Sequence, residues 1–250
     1  MAEVLPEGAL HTGSLILVNA GHPLHTVPPR EALVPVGDGC VLLERCAAAL
    51  LEKLMSDIRG WDGITAVSGW RSQMEQQAIW DGSLRENGAD FTRRYVAVPG
   101  HSEHQTGLAI DLGLKKPAVD YLRPAFPDTG LCGVFRRRAA RYGFIERYPA
   151  GKEPITGIAH EPWHFRYVGI PHAAVMAEMD FTLEEYTAFL KGFPYGSRPF
   201  VYEEGQHRFE ISFLAADAAA TLSPTKDGAF RVISGNNVDG CVLTNWRKGD

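Results

Sequence analysis

Apolar positions along the chain change their period several times, and each change marks one element giving way to another. Between Gly39 and Ile58 they recur as Val41, Leu42, Cys46, Ala49, Leu50 and Leu54, a spacing that predicts an amphipathic helix. Ile64–Ser68, bounded by Gly63 and rich in Ile, Thr and Val, predicts a short strand. Ser72–Asn87 predicts a second helix, with Ser72 as N-cap and Glu75 three residues on, a capping box. Phe91–Gly100 reads as a loop ending in Pro99-Gly100, and Leu108–Leu114 as a strand, apolar around Asp111. A proline-bearing loop, Pro117–Gly130, leads to a helix over Gly133–Tyr142 that Gly143 stops. Its arginines (Arg136, Arg137, Arg138 and Arg141) read as a solvated face. Trp163–Val168 predicts a third strand and Pro171–Asp180 a helix.

After Asp180 the character changes. A short helix over Leu183–Lys191 precedes four strand-like runs, Phe200–Glu203, Arg208–Leu214, Phe230–Ser234 and Cys241–Trp246, with turn residues such as Ser234-Gly235-Asn236-Asn237 and Asp239-Gly240 between them. The expected division is therefore one domain over 1–184 and a small β-rich domain over 185–250. At the other end, residues 1–38 are rich in Pro and Gly and read as a wrapping arm with one strand at Leu15–Val18.

Composition narrows the function classes. With 45% hydrophobic and 22% charged residues, the 250-residue chain is neither disordered nor fibrous. A net charge of −5 lacks the basic footprint of a nucleic-acid binder. No apolar run approaches the roughly 20 residues of a membrane span. Met1–Leu10, with Glu3 and Glu7, does not read as a signal peptide. The expected location is cytoplasmic, with an extracytoplasmic place as the alternative for an anchored form. The four cysteines, Cys40, Cys46, Cys132 and Cys241, form no C-x-x-C pair and read as reduced and mostly buried.

Candidate chemistry gathers in two segments, Ser102–Asp111 and Ala159–Phe165. The second contains a literal H-E-x-x-H: His160, Glu161 and His164. Two histidines at that spacing aim at one metal only on a helix, whereas Pro162 lies inside the pattern and the residues after it are strand-like. His160 is therefore read as a polar bystander. A better set is His104 and Asp111 with His164, two imidazoles and a carboxylate, which suit zinc and leave a fourth position for water. Zinc lowers the pKa of such a water to about 7. A carboxylate inside an apolar strand, as at Asp111, needs a partner or a metal. Glu161 is the candidate base that takes a proton from the water and passes it to a leaving amine. In a regular strand an offset of three would put Glu161 and His164 on opposite faces, so a bend at Pro162 is required. At the exit of the first strand, Arg71 is either a surface ion pair or a group that polarises a carbonyl and its developing oxyanion. Trp163 reads as core packing and Gln76 as an exposed helix position on sequence alone.

Taken together and in this order, Ser68-Gly69-Trp70-Arg71-Ser72 with Gln76, then Pro99–Asp111, then Glu161-Pro162-Trp163-His164 through Gly169, resemble the zinc D,D-peptidases of the VanY, VanX and VanXY type. The family pattern S-x-H-x-x-G-x-A-x-D is met in full by Ser102 to Asp111, and its E-x-x-H element by Glu161 and His164. Leu17-Val18-Asn19 with His22-Pro23 also looks like the family's N-terminal segment. Trp70 stands where relatives commonly carry Tyr. The resemblance covers about residues 14–180, and the β-rich segment lies outside it. It implies an α+β fold, a small antiparallel sheet flanked by helices, similar to the Hedgehog signalling domain. It implies zinc on His104, Asp111 and His164, with Glu161 as base and Arg71 stabilising the transition state. It further implies Gln76, Ser102 and Trp163 at the substrate. The activity implied is hydrolysis of D-Ala-D-Ala-terminated peptide or dipeptide, tied to peptidoglycan precursors and vancomycin-type resistance. The alternatives are an L-Ala-D-Glu endopeptidase of the same superfamily and a non-catalytic zinc or peptide-binding module.

Overall fold

The apolar run before residue 58 splits into two elements where the sequence predicts one helix. In the computed structural model, which describes residues 5, 7–217, 222–225 and 229–248, Leu33–Val36 (β1) pairs antiparallel with Val41–Glu44 (β2). Only Arg45–Ile58 (α1) is helical. Val41–Glu44 alternates buried and half-buried positions, which is a strand pattern hidden in the longer helical one. Glu44 marks the switch: its carboxylate accepts the backbone N–H of Cys46 and Ala47 and caps α1.

Ile64–Ser68 (β3) leads into Gln73–Tyr95 (α2), opened by the reciprocal capping box of Ser72 and Glu75. This helix runs past the expected loop start at Phe91. It does so across a break at Gly88, whose φ of 79° is not helical. The second half is held by Thr92, which donates to Gly88 O at 2.9 Å and meets buried Ser83 Oγ at 2.8 Å. Ala109–Leu114 (β4), Gly130–Ala139 (α3), Phe144–Glu146 (β5), Glu153–Thr156 (α4), His164–Tyr167 (β6) and His172–Met179 (α5) follow. β5 escapes sequence reading because three residues cannot display a period. Gly143 before it has φ 81°, and a Cβ there would meet the Tyr167 ring at 2.7 Å.

Four of these strands form an antiparallel sheet in the order β3-β4-β6-β5. The register decides where the chemistry goes: Asp111 on β4 lies opposite Ser68 on β3 and His164 on β6. Next to His164, Phe165 packs with Phe126 and Phe135 at ring distances of 5.3 and 4.8 Å. Alternation along β6 thus gives the histidine and the aromatic anchor opposite faces. Burying a Phe is worth about 1.5–3 kcal/mol, so this contact fixes the strand that carries the histidine.

The chain divides into two compact units, Val18–Thr182, and Met1–Leu17 together with Leu183–Asp250. The stretch read as one domain over 1–184 is thereby divided, since its first seventeen residues group with the C-terminal segment. In that unit Leu183–Leu190 (α6) precedes Phe200–Glu204 (β7), His207–Ala215 (β8), Phe230–Gly235 (β9) and Gly240–Lys248 (β10). Their antiparallel order is β7-β8-β10-β9. Leu15–Val18 is buried but irregular, correcting the expected strand. Leu17 N–H donates to Asn236 O and Gly235 N–H to Thr12 O, so the arm satisfies its backbone without a ladder. All four cysteines are free. Cys132 and Cys241 are buried as expected, while Cys40 and Cys46 are exposed. Among the described residues no helix is long and apolar enough to cross a membrane.

Candidate metal centre

Three elements deliver the site. β4 supplies Asp111, β6 supplies His164, and a single helical turn over Glu103–Thr106 just before β4 supplies His104. That turn ends at Gly107 with φ 73°, where a Cβ would press on Leu33 at 2.9 Å. The left-handed residue reverses the chain so that His104 and Asp111, seven positions apart, face each other. Donor atoms of His104, Asp111 and His164 all lie within 4.8 Å of one another, and all three residues are buried.

The hydrogen bonds orient both rings. His104 Nδ1 lies 2.7 Å from Gly69 O, which can only accept, so Nδ1 donates there and Nε2 is the nitrogen turned toward Asp111. That Nε2 is 3.1 Å from Asp111 Oδ2. His164 Nδ1 is 3.0 Å from Asp111 Oδ1, and its Nε2 is 3.4 Å from Glu103 Oε2. Burial drives the Asp111 carboxyl up, but His104 and His164 outweigh it and hold the group well below the carboxylate range. His164 is also pushed down by burial, yet Asp111 and Glu103 raise it to about 9. His104 is lowered by burial, with Arg71 adding to the effect.

Glu161 reaches the same spot by the bend the sequence demanded. His164 N–H donates to Glu161 O at 3.1 Å, closing a turn with Pro162 at its second position. Glu161 Oε2 then lies 3.9 Å from His164 Nδ1. Burial raises its pKa to about 8, with Asp111 and Glu103 contributing against His164 and Arg71. A buried carboxyl whose pKa is raised toward neutral pH, beside a candidate metal-ligating set, suits proton transfer.

Arg71 is no surface pair. Its guanidinium donates to Asp111 Oδ2 at 3.0 Å, Ser68 Oγ at 2.8 Å and Gln76 Oε1 at 3.3 Å. Gln76 is buried, not exposed as the helix pattern suggested, and its Nε2 donates to Ala97 O at 2.8 Å. Ser102 and Trp163 are buried as well and line the same cleft as Arg71, Gln76 and Glu161, with a volume of about 440 Å³. His160 is outside the cluster: its exposed ring contacts Glu146 Oε1 at 3.1 Å.

The partners of two residues were invisible in the sequence. Glu103 Oε1 accepts Arg147 Nε and Arg166 Nη1, each at 2.8 Å, and both arginines are fully buried. Arg136, read as part of a solvated face, donates to Phe126 O at 3.1 Å and to Pro162 O at 3.0 Å, and pairs with Glu146. Arg137, Arg138 and Arg141 are exposed as expected. No spacing announces these contacts, because each joins residues from separate segments.

The donor set fits a zinc ion. Two imidazoles of fixed orientation and one ionised carboxylate, all buried and convergent, make a three-ligand site of the kind that keeps a coordination position open.

Comparison with known proteins agrees with this geometry. The sequence model of the VanY family, D-alanyl-D-alanine carboxypeptidase, matches residues 41–170. The bifunctional D-Ala-D-Ala dipeptidase and D-Ala-D-Ala carboxypeptidase VanXYC of Enterococcus gallinarum is 46% identical over 180 residues, 71% of this chain and 95% of that protein. Among solved structures, vancomycin resistance D,D-dipeptidase VanXYg in complex with a D-Ala-D-Ala phosphinate analogue superposes with a TM-score of 0.92 at 47% identity, over 97% of both chains. Vancomycin resistance D,D-pentapeptidase VanY from a VanB-type cassette, in complex with Zn(II), matches with a TM-score of 0.57 at 33% identity, over 70% of this chain and 98% of that one.

Proposed function

The chain belongs to the VanY family of D-alanyl-D-alanine carboxypeptidases, and from that premise we propose that it is a zinc-dependent D,D-peptidase that hydrolyses the terminal amide of D-Ala-D-Ala, on the dipeptide and on peptidoglycan precursors. The observation that carries this reading is the convergence of His104, Asp111 and His164 within 4.8 Å at a cleft that also holds Glu161 and Arg71. Removing the terminal residue from precursors depletes the target of vancomycin-type drugs, which links the activity to resistance. The cytoplasmic setting, where such precursors are made, is part of the same proposal, and cell fractionation checks it.

His104 through Nε2, Asp111 through its carboxylate and His164 through Nδ1 would hold the zinc. Bound there, zinc supplies Lewis acidity to the scissile carbonyl and acidifies water. Glu161 takes a proton from the attacking water, and its burial favours the protonated form that results. It returns that proton to the departing D-alanine amine as the C–N bond breaks. Arg71 is oriented by Ser68 and Gln76, and its guanidinium stabilises the charge that develops on the carbonyl oxygen. Ser102 and Trp163 border the substrate. The cleft volume is within the range of small-molecule sites.

The test is release of D-alanine from D-Ala-D-Ala and from precursor pentapeptide, measured side by side with and without a chelator. Release from both, lost on chelation and restored by zinc, is expected. Cleavage of intact sacculi without D-alanine release would favour an endopeptidase, and no turnover of any of these would reduce the protein to a binding module.

A further inference from the structure

We propose that Glu103 is a positioning residue of the metal centre: its carboxylate accepts the Nε2–H of His164 and so turns the Nδ1 lone pair of that ring toward His104 and Asp111. The inference rests on the zinc-site reading above and adds to it a residue with no assigned role.

Three observations carry it. First, the His164 ring has a carboxylate at each edge, Asp111 at 3.0 Å from Nδ1 and Glu103 at 3.4 Å from Nε2. A ring that gives its Nδ1 lone pair to a metal keeps its proton on Nε2, and Glu103 stands where that proton must go. Second, Glu103 is immobilised. It is 2% exposed, and its other oxygen takes one N–H each from Arg147 and Arg166 at 2.8 Å. Arg166 sits two residues beyond His164 on β6, so alternation puts ligand and anchor on one face of one strand. Third, His104 follows the same plan with Gly69 O at 2.7 Å on its outward nitrogen. Each imidazole of the proposed site therefore has its non-ligating nitrogen bound to an acceptor, the arrangement that fixes the tautomer of metal-binding histidines and raises their basicity. The rival reading is that Glu103 only neutralises two buried guanidiniums.

Two measurements separate the readings. In zinc-loaded wild-type protein, a nitrogen–proton correlation spectrum of the imidazoles should show the His164 proton on Nε2. A proton on Nδ1 overturns the proposal. In E103Q and E103D, zinc affinity from competition with a chromophoric chelator should fall about 10- to 100-fold, while KM for D-Ala-D-Ala at saturating zinc stays near the wild-type value. Variants that melt earlier without metal yet bind zinc as tightly as wild type would show that Glu103 serves the arginines alone, and the proposal falls. Should neither variant fold, the wild-type spectrum decides. Wild-type protein that binds no zinc takes down the metal reading itself, whereas equal zinc binding by wild type and folded variants takes down only the role of Glu103.

Discussion

Glu161 combines two properties at one residue: it is almost fully buried, and its carboxyl faces the edge of His164 that points to Asp111. Its assigned task is proton transfer, not ligation, so Glu161→Ala is expected to retain zinc while kcat falls by about 10²–10⁴-fold, the usual worth of a general base. Metal analysis and steady-state kinetics on the same preparation check this, and a variant with wild-type turnover would remove Glu161 from the mechanism. The sequence made this residue legible through its spacing to His164, an offset of three that requires a bend at Pro162. Gln76 and Arg71 were half legible. Their types and order matched a family pattern, but the burial of Gln76 did not follow from a helix face that looked polar, nor the inward turn of Arg71 from its place at a strand exit. Glu103 lay in plain view inside the Ser102–Asp111 motif, yet its partners Arg147 and Arg166 are 44 and 63 positions away. Pairing across such distances leaves no trace in local spacing.

At the level of elements, the turn that carries Glu161 is braced from α3. Arg136 on α3 binds the carbonyl of Pro162 while its guanidinium stacks 5.5 Å from the Phe126 ring. Arg136→Met keeps an aliphatic stem over the aromatics but leaves two carbonyls without their donor. It is expected to destabilise the protein by about 1–3 kcal/mol and to lower kcat, whereas exposed Arg141→Ala should stay within about 0.5 kcal/mol of wild type. Urea unfolding with parallel kinetics checks both, and equal effects of the two substitutions would deny Arg136 its bracing role. The strands β3 and β4 were readable as largely apolar runs, and β6 through its aromatic residues. The β1–β2 hairpin was not, since its second strand runs directly into α1 and the two periods blur. The length of α2 was missed for a related reason. Gly88 looks like a terminator, and the Ser83–Thr92 contact together with the Thr92–Gly88 hydrogen bond ties the two halves across it.

Across the whole molecule, the fold hides ionisable groups whose titration couples to stability. His172 on α5 is 4% exposed, and burial lowers its pKa from 6.5 to about 3. Between those values the unfolded chain binds a proton that the folded chain refuses, so stability is full above about pH 6.5 and declines as pH falls toward 3. In metal-free protein, His172→Gln should therefore show a shallower acid limb, by up to about 1.4 kcal/mol per pH unit. Unfolding free energies measured across that window check it, and parallel limbs for variant and wild type would contradict it. The grouping of Met1–Leu17 with the C-terminal sheet could not be read from the chain. His11 meets Asn237 at 2.7 Å across 226 positions, and neither residue belongs to a periodic run.

In the proposed centre, one zinc ion is held by His104, Asp111 and His164. Anomalous diffraction recorded on either side of the zinc absorption edge from a zinc-loaded crystal tests it directly. A single peak is expected about 2.0–2.1 Å from His104 Nε2 and from His164 Nδ1, with a carboxylate oxygen of Asp111 at about 2.0–2.2 Å. A peak on His160, or one that leaves out any of those three residues, would contradict it.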